Sequence, residues 1–297
     1  MKPVFIRAIE ATDKAQAIRQ AIHAPDEALG QTRFEVVPQS FSVVPRAPFA
    51  YWVSDRVRRM FQELPPFEGE GRTAKQGLAT ADDGRFVRLW TEVDPATLGS
   101  RWFPFAKGGR YSPYYADVHL VVNWERDGAE IKRNLNDRGQ VRSNVWMLRD
   151  TERRFFFRPG LTWPLRTQSG LAFRALAQGC CFAHKGPGVF ADEGWLRALH
   201  AVTNSSSFSS LVELQMSFGS YEVGVIQRTP VPPMTSADER TLAHLARHAW
   251  SLKRTLDTHV ETSHAFWLPA LLQVEGETLT ERAAAWQARV TSIEQQL

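Results

Sequence analysis

The sequence predicts an α+β protein: a β-rich middle between N-terminal helices and a C-terminal helical spacer. Three observations carry this. Apolar residues recur at helical spacing near both ends, at Ala8, Ala11, Ala15, Ile18 and Ile22 and again at Leu242, Leu245, Ala246 and Ala249. Between about Arg85 and Pro233 the apolar runs are short and separated by turn residues. Stretches rich in glycine, proline and charge punctuate the chain. The expected parts are a helical and linker region over 1–84, a β-rich unit over 85–235 and a helical region over 236–297.

Taken in order, residues 1–30 read as mostly helix with Gly30 as a stop, although Val4, Phe5 and Ile6 also suit a short strand. FEVVPQSFSVVP is short and β-branched with internal proline. A helix is expected from Tyr51 to Glu63, ended by Pro65 and Pro66. Residues 65–84 read as loop. FVRLWTEV, VHLVVNW, SNVWMLR, RRFFF, GCCFAH and SYEVGVIQ read as strands, interrupted by a helix from Glu193 to Ala201. After PVPP, Ser236 opens S-A-D-E as a capped helix start, and LTERAAAWQARVTSIEQQL is a second amphipathic helix.

The 297 residues are 43% hydrophobic and 23% charged, which is ordinary globular composition and enough for a core without metals or disulfides. The two cysteines, Cys180 and Cys181, are adjacent and suit neither a structural disulfide nor a metal site. The N-terminus lacks a signal-peptide run, and no stretch approaches the ~20 apolar residues of a membrane helix, so a cytoplasmic protein without a membrane partner is expected. Net charge is +4, but residues 101–190 hold 15 Lys and Arg against 7 Asp and Glu. That segment is therefore +8 and the remainder −4, a distribution suited to a polyanion partner or to a solvated basic face.

Several chemistries are missing. Leu64-Pro65-Pro66-Phe67 superficially matches the Asn/Asp-Pro-Pro-aromatic loop of adenine methylation, but Leu64 has no acceptor for the adenine amine. Gly69, Glu70 and Gly71 lack the preceding apolar strand of a cofactor-binding turn. The eight histidines form no zinc signature, there is no nucleophile elbow or P-loop, and Ser205–Ser207 reads as a helix end or turn. No catalytic or metal residue is assigned. One enzymatic alternative stands: Asp117, Glu130 and Lys132 have the acid, acid-x-lysine order of a metal-dependent nuclease, though Arg126-Asp127-Gly128 before them reads as a turn.

The chemistry that is present is cationic and aromatic. RWFPFAKGGRYSPYY, Arg101 to Tyr115, interleaves three cations with six aromatic rings. Lys107 and Arg110 suit phosphates, Gly108 and Gly109 allow close backbone approach, and Tyr111, Tyr114 and Tyr115 can bond to backbone oxygens or stack on bases. The same residues also suit a packed aromatic corner with snorkelling cations. Arg158 and Arg166 flank a Gly/Pro turn from which a guanidinium can fork onto guanine. Trp163 and the three phenylalanines Phe155–Phe157 read as core. Asn134 to Arg142 is an amide-rich loop that suits adenine contacts or plain solvation.

These motifs, in the order AYWVSDRVRRMF, GLATADDGRFVRLWTEV, RWFPFAKGGRYSPYYADVHLVVNWERDGAEIK, FFFRPGLTWPLRT, YEVGVIQRTPVP and ETSHAFWLPALL, resemble the C-terminal half of the PglX family of BREX-system adenine-specific DNA methyltransferases and their type IIG restriction–modification relatives. The resemblance runs from about residue 34 to 272. It implies a target-recognition unit in which Lys107, Gly108, Gly109, Arg110 and Tyr115 match a KGG-and-aromatic motif and Tyr221 to Pro232 match a strand-and-proline exit. It implies duplex DNA as partner; the residues expected to contact it are these five together with Tyr111, Tyr114, Arg142, Arg158 and Arg166, which are candidates by their own chemistry. The family's catalytic loop and cofactor fold have no counterpart here, so no cofactor is expected in this chain, and S-adenosylmethionine is expected in a partner catalytic chain. A third reading is a protein-interaction module in a phage-defence complex, docking through its helical tail.

Overall fold

The first strand, β1 (Val4–Ile6), pairs antiparallel with β2 (Arg33–Glu35), so the strand alternative for the opening residues is the observed one. The computed structural model describes residues 3–23, 32–69, 71–216 and 219–297. Helix α1 (Lys14–His23) is shorter than the expected run, and Gly30 lies outside the described residues. Helix α2 (Asp55–Glu63) begins at Ser54, whose hydroxyl accepts the Val57 N–H.

Residues 65–84 are not all loop. They contain β3 (Arg72–Lys75) and the short helix α3 (Asp83–Phe86). Strands β4 (Val87–Leu89), β5 (Trp102–Ala106) and β6 (Leu120–Asn123) follow, then α4 (Glu125–Lys132) and α5 (Arg149–Phe155). Next come β7 (Gly160–Thr162), β8 (Arg174–Leu176), β9 (Cys181–Phe182) and β10 (Gly188–Ala191). Helices α6 (Glu193–Thr203), α7 (Ser206–Glu213), α8 (Val223–Arg228), α9 (Ser236–Leu256) and α10 (Leu279–Gln296) complete the fold.

The class is α+β. One four-stranded sheet has the order β3-β10-β7-β8 and is antiparallel; the other, β4-β6-β5-β9, is mixed, because β5 runs parallel to β9. Two apolar clusters form the core, and the first also takes Leu176 and Phe190 from the antiparallel sheet. Phe105, Val122, Trp124, Phe156 and Phe182 fill the first, against the mixed sheet. Trp163, Phe173, Leu199, Phe208 and Ile226 fill the second, against α6, α7 and α8. Burying each of these side chains stabilises the fold by roughly 1.5–3 kcal/mol.

Several expected strands are something else. Phe155 ends α5 and Phe157 takes a left-handed backbone (φ 67°), so the phenylalanine triplet is core without being strand. SNVWMLR forms a 3-10 turn over Asn144–Met147. The stretch after Tyr221 is helix α8, because Val225 and Ile226 are buried on one helical face rather than alternating across a sheet. Leu64-Pro65-Pro66-Phe67 lies against residues 229–231, with the Phe67 N–H bonded to the Thr229 carbonyl (2.8 Å) and the ring fully buried. The long helix α9 is capped one residue earlier than expected, by a reciprocal Thr235–Asp238 capping box.

Candidate nucleic-acid interface

Three segments lock together by backbone contacts at one end of the mixed sheet. β5 ends at Ala106, whose carbonyl accepts the Ala183 N–H (2.8 Å), so residues 107–110 and 184–186 leave the sheet side by side. Gly108 has φ 79°, and a Cβ there would sit 2.5 Å from the Lys185 carbonyl oxygen. A Cβ on Gly186 would meet the Gly108 nitrogen at 2.5 Å. The glycine is therefore required by the chain's own fold, and its close approach is to the protein backbone rather than to a ligand. The third segment joins through Leu165, whose N–H bonds to the Lys185 carbonyl (3.0 Å) and whose carbonyl accepts the Tyr221 N–H (2.8 Å).

Arg174 holds the turn from beneath. This residue is 5% exposed, and its guanidinium donates to the carbonyls of Gly108 and Arg110, the latter at 3.2 Å. Burial lowers its pKa to about 10, which leaves it charged at neutral pH. The sequence reading missed this residue. Its signal was a single arginine inside the apolar run LAFRAL, a pattern that a buried cation needing carbonyl partners produces.

The locked segments carry cations. Lys107 pairs with Asp83; burial pushes the Asp83 carboxyl up, but bonds from Lys107 and Thr80 outweigh it and hold it below the usual range. Arg166 is exposed and donates from Nε to the Ser220 hydroxyl (2.7 Å). Arg110 and Lys185 are exposed, without an ion-pair partner among the described residues. His184, bonded to Gln76 at 2.5 Å, has its pKa lowered by burial and by the charges of Lys185 and Arg166, which together outweigh the nearby Glu222 carboxylate. Lys185 was also missed, although HKGPG repeats the cation-and-glycine signal recognised at 107–110.

The aromatic residues of the motif divide. Tyr111 is 45% exposed and stands 3.7 Å from where a Cβ on Gly170 would lie. Tyr114 has a left-handed backbone (φ 68°), donates its N–H to the Phe173 carbonyl and packs its ring 5.3 Å from that of His200. Tyr115 meets Trp250 of α9 edge-on at 5.8 Å. Burial raises the pKa of both. Tyr111 is thus the motif tyrosine open to solvent, while Tyr114 and Tyr115 serve packing.

The remaining candidates lie apart. Arg142 is exposed at the end of the 134–142 loop, whose Leu135–Val141 bridge closes it. Arg158 lines a separate cavity. The nuclease-like residues each have a partner of their own: Asp117 bonds to His264 (3.0 Å), Glu130 pairs with Arg85 and Arg101, and Lys132 pairs with Glu152. The Arg126-Asp127-Gly128 turn before it is left-handed throughout, at φ 50°, 57° and 71°. Among the described residues no group of three or more His, Cys, Asp or Glu side chains could hold a metal ion. No helix among them is long and apolar enough to cross a membrane.

No family model matches the chain. Its likeness is distant homology to adenine-specific methyltransferases, the class to which the motifs pointed. It is 28% identical over 235 residues, 73% of its length, to the adenine-specific methyltransferase PglX of Lacticaseibacillus casei (strain Zhang). It is 25% identical over 287 residues, 93% of its length, to the adenine-specific methyltransferase BrxX of Escherichia coli O9:H4 (strain HS). The aligned regions cover 19% and 22% of those two proteins, so the chain spans about a fifth of the length of the curated relatives it matches.

Proposed function

We propose that this chain reads duplex DNA for an adenine-specific methylation and phage-defence system, with residues 85–235 as the target-recognition unit and the helical tail as its spacer. The catalytic loop and the S-adenosylmethionine site belong, in this reading, to a methyltransferase region or chain outside this sequence. The observation that carries it is the basic rim: three segments fixed by backbone bonds bring Lys107, Arg166 and Lys185 around His184, with Arg110 two residues beyond the Gly108 contact. A rim fixed before binding loses little ordering entropy on contact with phosphates. Arg166 and Arg110 have the fork geometry that can read guanine, and Tyr111 offers a face to a displaced base.

The experiment is selection of duplexes from a random pool by the purified chain. A recovered consensus, lost in an Arg110→Ala, Arg166→Ala double variant but retained as weak general binding, is the expected result. Recovery of unenriched sequence would reject sequence-specific reading. The interaction-module reading has its own support in the exposed Trp267 and Leu272 of the tail (67% and 59%), and it is compatible with DNA reading because a reader must dock its catalytic partner.

A further inference from the structure

We propose that the cavity beneath the Arg72–Ala191 end of the antiparallel sheet is a phosphate-binding site, distinct from the basic rim. The cavity measures about 370 Å³, in the range of small-ligand pockets. Arg72, Lys75, Arg154 and Arg158 line it, together with the carboxylates of Glu68 and Asp192 among the described residues.

Crowding of like charge is the decisive feature. Three cations surround the single buried ring of Phe155: Arg154 at 5.3 Å from its centroid, Lys75 at 5.7 Å and Arg158 at 6.0 Å. Gathered around one ring, they raise the local positive potential that an anion entering the cavity would meet. The ring faces offset part of this. The carboxylates offset part of the rest. Glu68 lies 3.6 Å from Lys75 while also accepting from the Thr73 hydroxyl and the Ala74 N–H, and Asp150 meets Arg154 at 3.5 Å in a pair that is 66% and 65% exposed and therefore weak. Arg158 has no carboxylate partner among the described residues.

A multiply charged anion between these groups neutralises that potential and receives forked guanidinium bonds, the chemistry that favours phosphate over a single carboxylate. Two sources carry that chemistry: a free phosphate ester such as a nucleotide, and a backbone phosphate of bound DNA. The site does not rest on the DNA-reading proposal, since none of its cations belongs to the rim.

Calorimetric titration of the full chain with inorganic tripolyphosphate tests it. The chain should bind, an Arg154→Gln, Arg158→Gln double variant should bind at least about tenfold more weakly, and Asp192→Asn should bind more tightly. An Arg247→Gln variant, which removes an exposed cation of α9 that belongs to neither site, should bind as the parent does. All substituted residues are exposed, and a melting scan checks that each variant folds. Heats that are absent, or equal in the parent and the double variant, would overturn the site. A short duplex added to the complex then assigns the source: displacement of tripolyphosphate marks a DNA phosphate, and simultaneous binding marks a free ester. Tripolyphosphate binding without any duplex binding would sustain this site while rejecting the DNA reader.

Discussion

The imidazole Nδ1 of His264 lies 3.0 Å from the Asp117 carboxylate, and this contact ties the C-terminal segment to the β-rich body. Beside it, the Trp90 indole N–H donates to the Thr262 carbonyl (3.0 Å) and the Trp90 and His264 rings meet at 4.7 Å. His264 is half exposed, so the pair is worth about 0.2–1 kcal/mol by itself. An Asp117→Asn, Trp90→Ala double variant should therefore melt close to the parent while its 257–278 segment is cut faster by protease. Equal cleavage rates would show that the helices α9 and α10 hold this segment without the latch.

Arg174 supplies the second prediction. Replacing it with methionine leaves the Gly108 and Arg110 carbonyls without their shared donor, at a cost of about 2–4 kcal/mol. Lysine should not restore the loss, because one ammonium cannot reproduce the fork that spans both carbonyls. Denaturant titration checks this; a lysine variant as stable as the parent would contradict it.

His200 makes stability pH-dependent. Burial lowers its pKa to about 4 from an ordinary 6.5, and its Nε2 has no hydrogen-bond partner. Between these values the unfolded chain binds the proton and the folded chain does not, so stability is full above pH 6.5 and falls as pH drops towards 4. The loss between pH 7.5 and 5 is about 2 kcal/mol. His200→Phe keeps a ring against Tyr114 and removes the titration. Its unfolding free energy should fall less over that interval than the parent's, and identical pH slopes would contradict the assignment.

The cysteines should be inert. Burial pushes the Cys180 thiol up to about 11 and Cys181 well above its usual value, so neither forms thiolate near neutrality. A colorimetric thiol assay at pH 8 should find both unreactive in the native chain and both reactive in denaturant. Rapid native labelling would show that the β9 edge opens.

The legible parts of this fold were those with long periodic signals. The helices at 236–256 and 279–296, the helix from Glu193 and the strand Leu120–Asn123 follow from spacing alone. β3 was hidden because its residues, Arg-Thr-Ala-Lys, carry little apolar signal, and only Ala74 is buried. Val223–Arg228 read as strand because a six-residue helix shows too few turns to reveal its period. At the candidate interface, composition located the basic turn but not its support. Arg174 and Lys185 reach it from 66 and 77 residues away in sequence, and Tyr114 and Tyr115 are turned towards His200 and Trp250 by packing that local sequence does not encode.

The basic rim is proposed to grip a polynucleotide. Duplex affinity measured across a salt series tests it most directly. Each phosphate contact contributes a slope of about −0.9 in log K against log salt, so an Arg110→Gln, Arg166→Gln, Lys185→Gln triple variant should be shallower than the parent by about 2–3. No binding by the parent at low salt, or equal slopes in parent and variant, would contradict the claim.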